Sequence, residues 1–166
     1  MFSLTDVHGK EIVLAELLKQ GPIVINFYRG DWCPYCNLEL RAFQKLSSKI
    51  SDLGAVLLSI SPQLPSGTLM STEKYMLTLE ILSDVGNRVA HMFGLVFKLD
   101  LKMIPVYRHF GVDLPAVNGD DSYELPIPAT YIVDTHGKIV KDYVNSDYTK
   151  RLDPEEVIKF LKTIKK

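Results

Sequence analysis

The chain has 166 residues, a net charge of −1, and 46% hydrophobic and 23% charged residues, the balance of a single globular domain spanning 1–166 with its own core. So small a net charge leaves no basic footprint for nucleic acid or anionic lipid, and no apolar run approaches the ~18 residues that cross a bilayer, so neither nucleic acid nor membrane is expected as a partner. The start, Met1-Phe2-Ser3-Leu4-Thr5-Asp6, lacks the basic and long apolar regions of a secretory leader, so a reducing cytoplasm is the expected location.

The elements follow in chain order. Phe2–Thr5 and Glu11–Leu14 flank the turn-like Asp6-Val7-His8-Gly9-Lys10 and predict an N-terminal hairpin. Ala15 to Gln20 reads as a helical turn ended by Gly21-Pro22. Ile23–Tyr28 is the first central strand. From Pro34 to about Asp52, Leu38, Leu40, Phe43, Leu46 and Ile50 recur at helical spacing. Gly54 ends that helix and Ala55–Ile60 is a buried strand, which completes a right-handed β-α-β unit. A helix over 66–77, a short strand over 79–82 and a helix over 86–93 come next. The stretch 95–99 is ambiguous, and 101–110 reads as helical. Asp113 to Pro126, rich in Asp, Pro, Gly and Asn, reads as a surface insertion. Ala129–Asp134, Thr135-His136-Gly137 and Lys138–Val144 form a hairpin. Asp153, Pro154 and Glu156 open a last helix as a capping box, burying Val157, Ile158, Leu161 and Ile164. A β-α-β half, intervening helices and a β-β-α half predict an α/β fold with a mixed central sheet and helices on both faces.

Both cysteines fall in Trp32-Cys33-Pro34-Tyr35-Cys36, between a strand and the first turn of a helix. A helix N-terminus carries about +0.5 of a charge and free N–H groups, which favour a thiolate, the nucleophilic form of cysteine. The i, i+3 spacing lets the two sulfurs meet as a disulfide. Pro34 favours the helix start, and Trp32 is a candidate apolar wall beside the sulfurs. Arg29 would lower a thiolate pKa and Asp31 would raise it, so their net sign is open. His8, His91, His109 and His136 lack ligand spacing, so neither a metal nor an organic cofactor is expected.

These features resemble the thioredoxin superfamily and, within it, the peroxiredoxin-like AhpC/TSA family. The resemblance rests on Phe27-Tyr28-Arg29-Gly30-Asp31-Trp32-Cys33-Pro34-Tyr35-Cys36, on Leu82-Ser83-Asp84 with Phe93-Gly94-Leu95, and on Pro126–Asp134 with Gly137. It implies a thioredoxin-like fold with an N-terminal hairpin extension. Laid on the peroxiredoxin pattern Pro-x-x-x-Thr-x-x-Cys, Cys36 takes the peroxidatic position. Cys33 takes that of the threonine, Arg29 that of the proline, and Pro128 that of the catalytic arginine. The lost threonine and arginine would otherwise hold and polarise a peroxide. The thioredoxin likeness keeps Trp-Cys-x-x-Cys and implies a cis peptide before Pro128. It leaves unidentified the base for the second thiol, where Asn26 stands near the thioredoxin aspartate's position.

Three functions are therefore expected in order. The first is thiol–disulfide exchange, with Cys33 as nucleophile and Cys36 resolving. The second is a thiol peroxidase with Cys36 peroxidatic and Cys33 resolving. The third is a binding or sensing module switched by the disulfide. The partners implied are a disulfide-containing protein or hydroperoxide substrate and an external dithiol reductant. A homodimer is compatible with the sequence.

Overall fold

A computed structural model describes residues 1–164. Strands β1 (Ser3–Asp6) and β2 (Glu11–Val13) form the N-terminal hairpin, its turn closed by Asp6 Oδ1 accepting from the His8 and Lys10 N–H groups. Helix α1 (Leu14–Leu18) leads to β3 (Ile23–Phe27), α2 (Pro34–Asp52) and β4 (Val56–Ser61). Then come α3 (Pro65–Lys74), β5 (Glu80–Ser83) and, after a 3-10 turn, α4 (Arg88–Met92). The chain closes with β8 (Ala129–Val133), β9 (Ile139–Val144) and α7 (Pro154–Ile164).

The main sheet runs β2-β1-β5-β4-β3-β8-β9. β3, β4 and β5 are parallel, whereas β1 and β8 join antiparallel, so the sheet is mixed as the element order predicts. β3 is buried along its whole length, and its side chains alternate between two cores. Ile23, Ile25 and Phe27 face the hairpin and α4, with Phe93 tilted against Phe27 and Tyr131 edge-on to it. Val24 and Tyr28 face α2 and α7, packed with Phe43, Val157 and Leu161.

The stretch 113–126 is more ordered than its composition predicts. Pro115 sits in the first turn of α6 (Leu114–Asn118), which Gly119 ends at φ +67°. β7 (Glu124–Pro126) then pairs with β6 (Val96–Lys98), which settles the ambiguous 95–99 as a strand. Leu99, Leu114 and Leu125 bury a third, small core there, with Trp32, Ile104, Tyr107, Val112 and Tyr123 packed against it. Between β6 and α6 lie a 3-10 turn (Leu101–Met103) and α5 (Ile104–His109).

Two smaller expectations change. Leu38 is 63% exposed, because the buried stripe of α2 runs through Cys36, Glu39, Leu40, Phe43 and Ile50. The capping box is half-formed: Asp153 Oδ1 accepts from the Glu155 N–H (3.0 Å), but the Glu156 carboxylate turns to Lys159 (2.6 Å). Phe43→Ala should therefore cost about 3–5 kcal/mol, while Leu38→Ala should stay within about 0.5 kcal/mol, both read from urea unfolding midpoints.

Candidate active site

The dithiol loop leaves the end of β3 and enters α2 through Cys33, the N-cap residue, with Pro34 in the first turn and Cys36 one turn in. Gly30 makes the approach possible. Its φ is +147°, and a Cβ there would fall 2.4 Å from Trp32 Nε1, so a side chain would displace the indole. The Cys33 N–H donates to Gly30 O (3.2 Å), and the Asn37 amide donates to Asp31 O (2.6 Å), pinning the loop to the helix it starts. Both sulfurs are fully buried.

Each sulfur has its own arginine. Arg29 Nη2 donates to Cys33 Sγ at 3.2 Å, and Arg151 Nη2 donates to Cys36 Sγ at 3.4 Å. A hydrogen bond from the Cys36 thiol, together with Arg29, holds Cys33 down at about 5 against the opposing effect of burial. Burial and the neighbouring Cys33 push Cys36 well above the ordinary thiol range, against the pull of Arg151. The pair is thus asymmetric at neutral pH: a thiolate at Cys33 and a thiol at Cys36.

Glu39 is a buried acid beside the dithiol that the sequence did not point to. It lies one turn past Cys36 on the same face of α2, buried, and its carboxylate pairs with Arg151 Nη1. Burial pushes the Glu39 carboxyl up to about 7, against the attraction of Arg151. Arg151 therefore bridges the carboxylate and the Cys36 sulfur. The available signal was the i, i+3 relation of Cys36 and Glu39. Arg151, 115 residues from Cys36, had no such signal.

The other expected residues divide. Arg29 reaches the site and Asp31 does not: the Asp31 carboxylate accepts from Ser71 Oγ on α3, and its N–H donates to Gln63 Oε1 (2.9 Å). This settles their open balance in favour of Arg29. Trp32 is half-buried, 5.2 Å from the Arg29 guanidinium and edge-on to Tyr107 at 5.4 Å. Tyr148, which sequence reasoning also missed, covers Arg29 at 4.0 Å and meets the exposed Tyr35 at 5.7 Å. Pro128 is buried immediately before β8, whose Ala129 pairs with Phe27 at the base of the loop. The peptide before Pro128 is trans, as are all others among the described residues, which corrects the cis expectation.

Ultraviolet thiolate absorbance should show one thiolate titrating near pH 5 in the reduced protein. Arg29→Met should move that midpoint up toward the free-thiol value of about 8.5. A midpoint unchanged by the substitution would remove Arg29 as a contributor and leave the Cys36 hydrogen bond alone.

The AhpC/TSA family model matches residues 1–142. Peroxiredoxin Q, chloroplastic, of Gentiana triflora is 30% identical over 162 residues, covering 98% of this chain and 64% of that protein. The chain thus spans a little under two thirds of that relative's length. Thiol-disulfide oxidoreductase ResA of Halalkalibacterium halodurans is 26% identical over 141 residues, 84% of this chain and 62% of that one. Among solved structures, peroxidoxin BcpB from Mycobacterium tuberculosis superposes with a TM-score of 0.77 at 22% identity, over 98% of this chain and 92% of that one. Xanthomonas campestris peroxiredoxin Q gives 0.76 at 17%, over 99% and 92%. These likenesses share the thioredoxin-like fold seen here, and with the family match over most of its length the chain belongs to the AhpC/TSA family.

Proposed function

We propose that this protein is a thiol oxidoreductase working through the Cys33–Cys36 dithiol, with Cys33 as the attacking thiolate. The observation that carries the reading is Arg29 Nη2 bonded to Cys33 Sγ at a helix N-terminus, beside a Cys36 kept protonated by burial. A substrate disulfide accepts the Cys33 thiolate and releases one thiol, leaving a mixed disulfide. Cys36 then attacks Cys33 and releases the second thiol, and an external dithiol resets the pair. A reducing compartment such as the cytoplasm would supply that donor.

Resolution requires the Cys36 proton to leave. We assign Glu39, raised to about 7 and paired with the same Arg151 that donates to Cys36, as the acceptor; the guanidinium stays protonated and only holds the two groups near each other, so the proton passes from the Cys36 thiol to the carboxylate without going through it. Because the group acts as a base, it works in its deprotonated form, so resolution should accelerate as pH rises through about 7.

A second reading has one specific support. Arg151 donates to Cys36, so the sulfur at the family's peroxidatic position has a guanidinium, although not from the strand position that Pro128 occupies. In that reading a hydroperoxide oxidises Cys36 to a sulfenic acid, and Cys33 condenses with it.

Cys36→Ser should accumulate a mixed disulfide through Cys33 with a small disulfide probe, and Cys33→Ser should not; mass spectrometry reads both. If Cys33→Ser instead reacts with hydrogen peroxide orders of magnitude faster than free cysteine, the peroxidase reading replaces exchange. Glu39→Gln should slow collapse of the wild-type mixed disulfide by about 10²-fold or more and abolish its pH inflection near 7. Stopped-flow measurement of product thiol release checks this.

A further inference from the structure

Arg29 is 6% exposed, and its Nε has no partner. Its guanidinium lies against Tyr148 and Trp32, donates through Nη2 to Cys33 Sγ, and through Nη1 to the Tyr107 hydroxyl at 3.3 Å. Tyr107 belongs to α5, a helix with no buried residue of its own, while Leu101 and Phe110 nearby are 67% and 77% exposed. Besides Tyr107, among the described residues the segment adds Ile104 and Val112, both partly buried, to the small third core. Tyr107 also meets Trp32 edge-on, and Arg108 donates to the Tyr123 hydroxyl at 3.4 Å and pairs with Asp113, while the Tyr107 hydroxyl ties the segment to Arg29 beside the buried Cys33.

We propose that Tyr107 and Arg29 form a redox-operated latch, in which the Cys33 thiolate holds the guanidinium, the guanidinium holds Tyr107, and disulfide formation releases residues 101–112 from the site. The proposal rests on the dithiol reading above. Oxidation joins the two sulfurs, converting one thiolate and one thiol into a neutral disulfide. A hydroperoxide, together with one further proton, takes the two electrons and leaves as alcohol and water. A substrate disulfide, likewise with one further proton, leaves as two thiols. Either way Arg29 loses the one close anionic partner it has among the described residues, whereas Arg151 keeps Glu39. A buried cation stripped of its counterion is strongly unfavourable. Turning the guanidinium toward water relieves it, and this movement breaks the Tyr107 bond. Release of Tyr107 loosens the surroundings of Arg29 in the oxidised form, the state that the reducing dithiol must reach. Tyr107 is a positioning residue in this scheme, since it touches neither sulfur.

The test is amide hydrogen exchange of residues 101–112 in the full chain, dithiol form against diamide-oxidised form, with intact mass reporting the loss of two hydrogens on oxidation. The latch predicts exchange about tenfold faster or more in the oxidised protein. It also predicts that reduced Tyr107→Phe exchanges this segment as fast as the oxidised wild type, with α2 and α7 still protected. If the disulfide forms and exchange stays within twofold, the latch is overturned while the dithiol reading stands. If protection persists and inorganic phosphate stabilises only the oxidised form, an anion replaces the thiolate and the latch is again overturned. If no disulfide forms, the latch falls together with the dithiol reading.

Discussion

The Arg29 guanidinium is held out of water between two aromatic faces, and among the described residues the Cys33 sulfur is its one close anionic partner. Separating such a buried pair by removing one member costs about 3–5 kcal/mol, a sizeable part of the roughly 5–15 kcal/mol that stabilises a domain. The chemistry of the thiol and the stability of the loop are thus the same interaction. Gly30 brings the backbone close enough for Trp32 to fold back, Trp32 and Tyr148 exclude water, and the helix N-terminus presents Cys33 to the guanidinium. A larger residue at 30 or a polar one at 148 would weaken the electrostatics without touching a sulfur.

The second arginine makes the two cysteines different. Arg151 divides its charge between Glu39 and Cys36, so it cannot hold Cys36 as a thiolate as firmly as Arg29 holds Cys33. Burial finishes the division by penalising charge on Cys36 and Glu39 alike. In the exchange proposed above, the Cys36 proton leaves toward the Glu39 carboxylate when Cys36 acts. The family's usual donors are absent from their positions at 33 and 128, and positive charge arrives instead from the loop before α2 and the loop before α7.

Much of the architecture was legible because periodicity and turn chemistry agree. The buried β3 and β4, the β8–β9 hairpin and the long α2 all carry apolar runs bounded by glycine or proline, so local and tertiary preferences coincide. Where one leucine had to serve as evidence, the reading drifted. Leu38 lies off the stripe because Cys36 and Glu39 occupy the inner face, and Leu114 and Leu125 form a core that their polar neighbours concealed.

By itself the sequence determined that two cysteines at i and i+3 open a helix after a central strand, because that spacing and that proline leave little other local geometry. It also placed Arg29 four residues and Asp31 two residues before Cys33, with neither the reach of Arg29 nor the net sign of the two charges given. Only the tertiary structure decided between them: Ser71 on α3 draws Asp31 away, and Tyr107 and Tyr148, far along the chain, close over Arg29. It alone brought Arg151 to Glu39 and Cys36. Charge acts through space rather than along the chain, and a pattern of neighbours in sequence carries no information about a guanidinium 115 residues away.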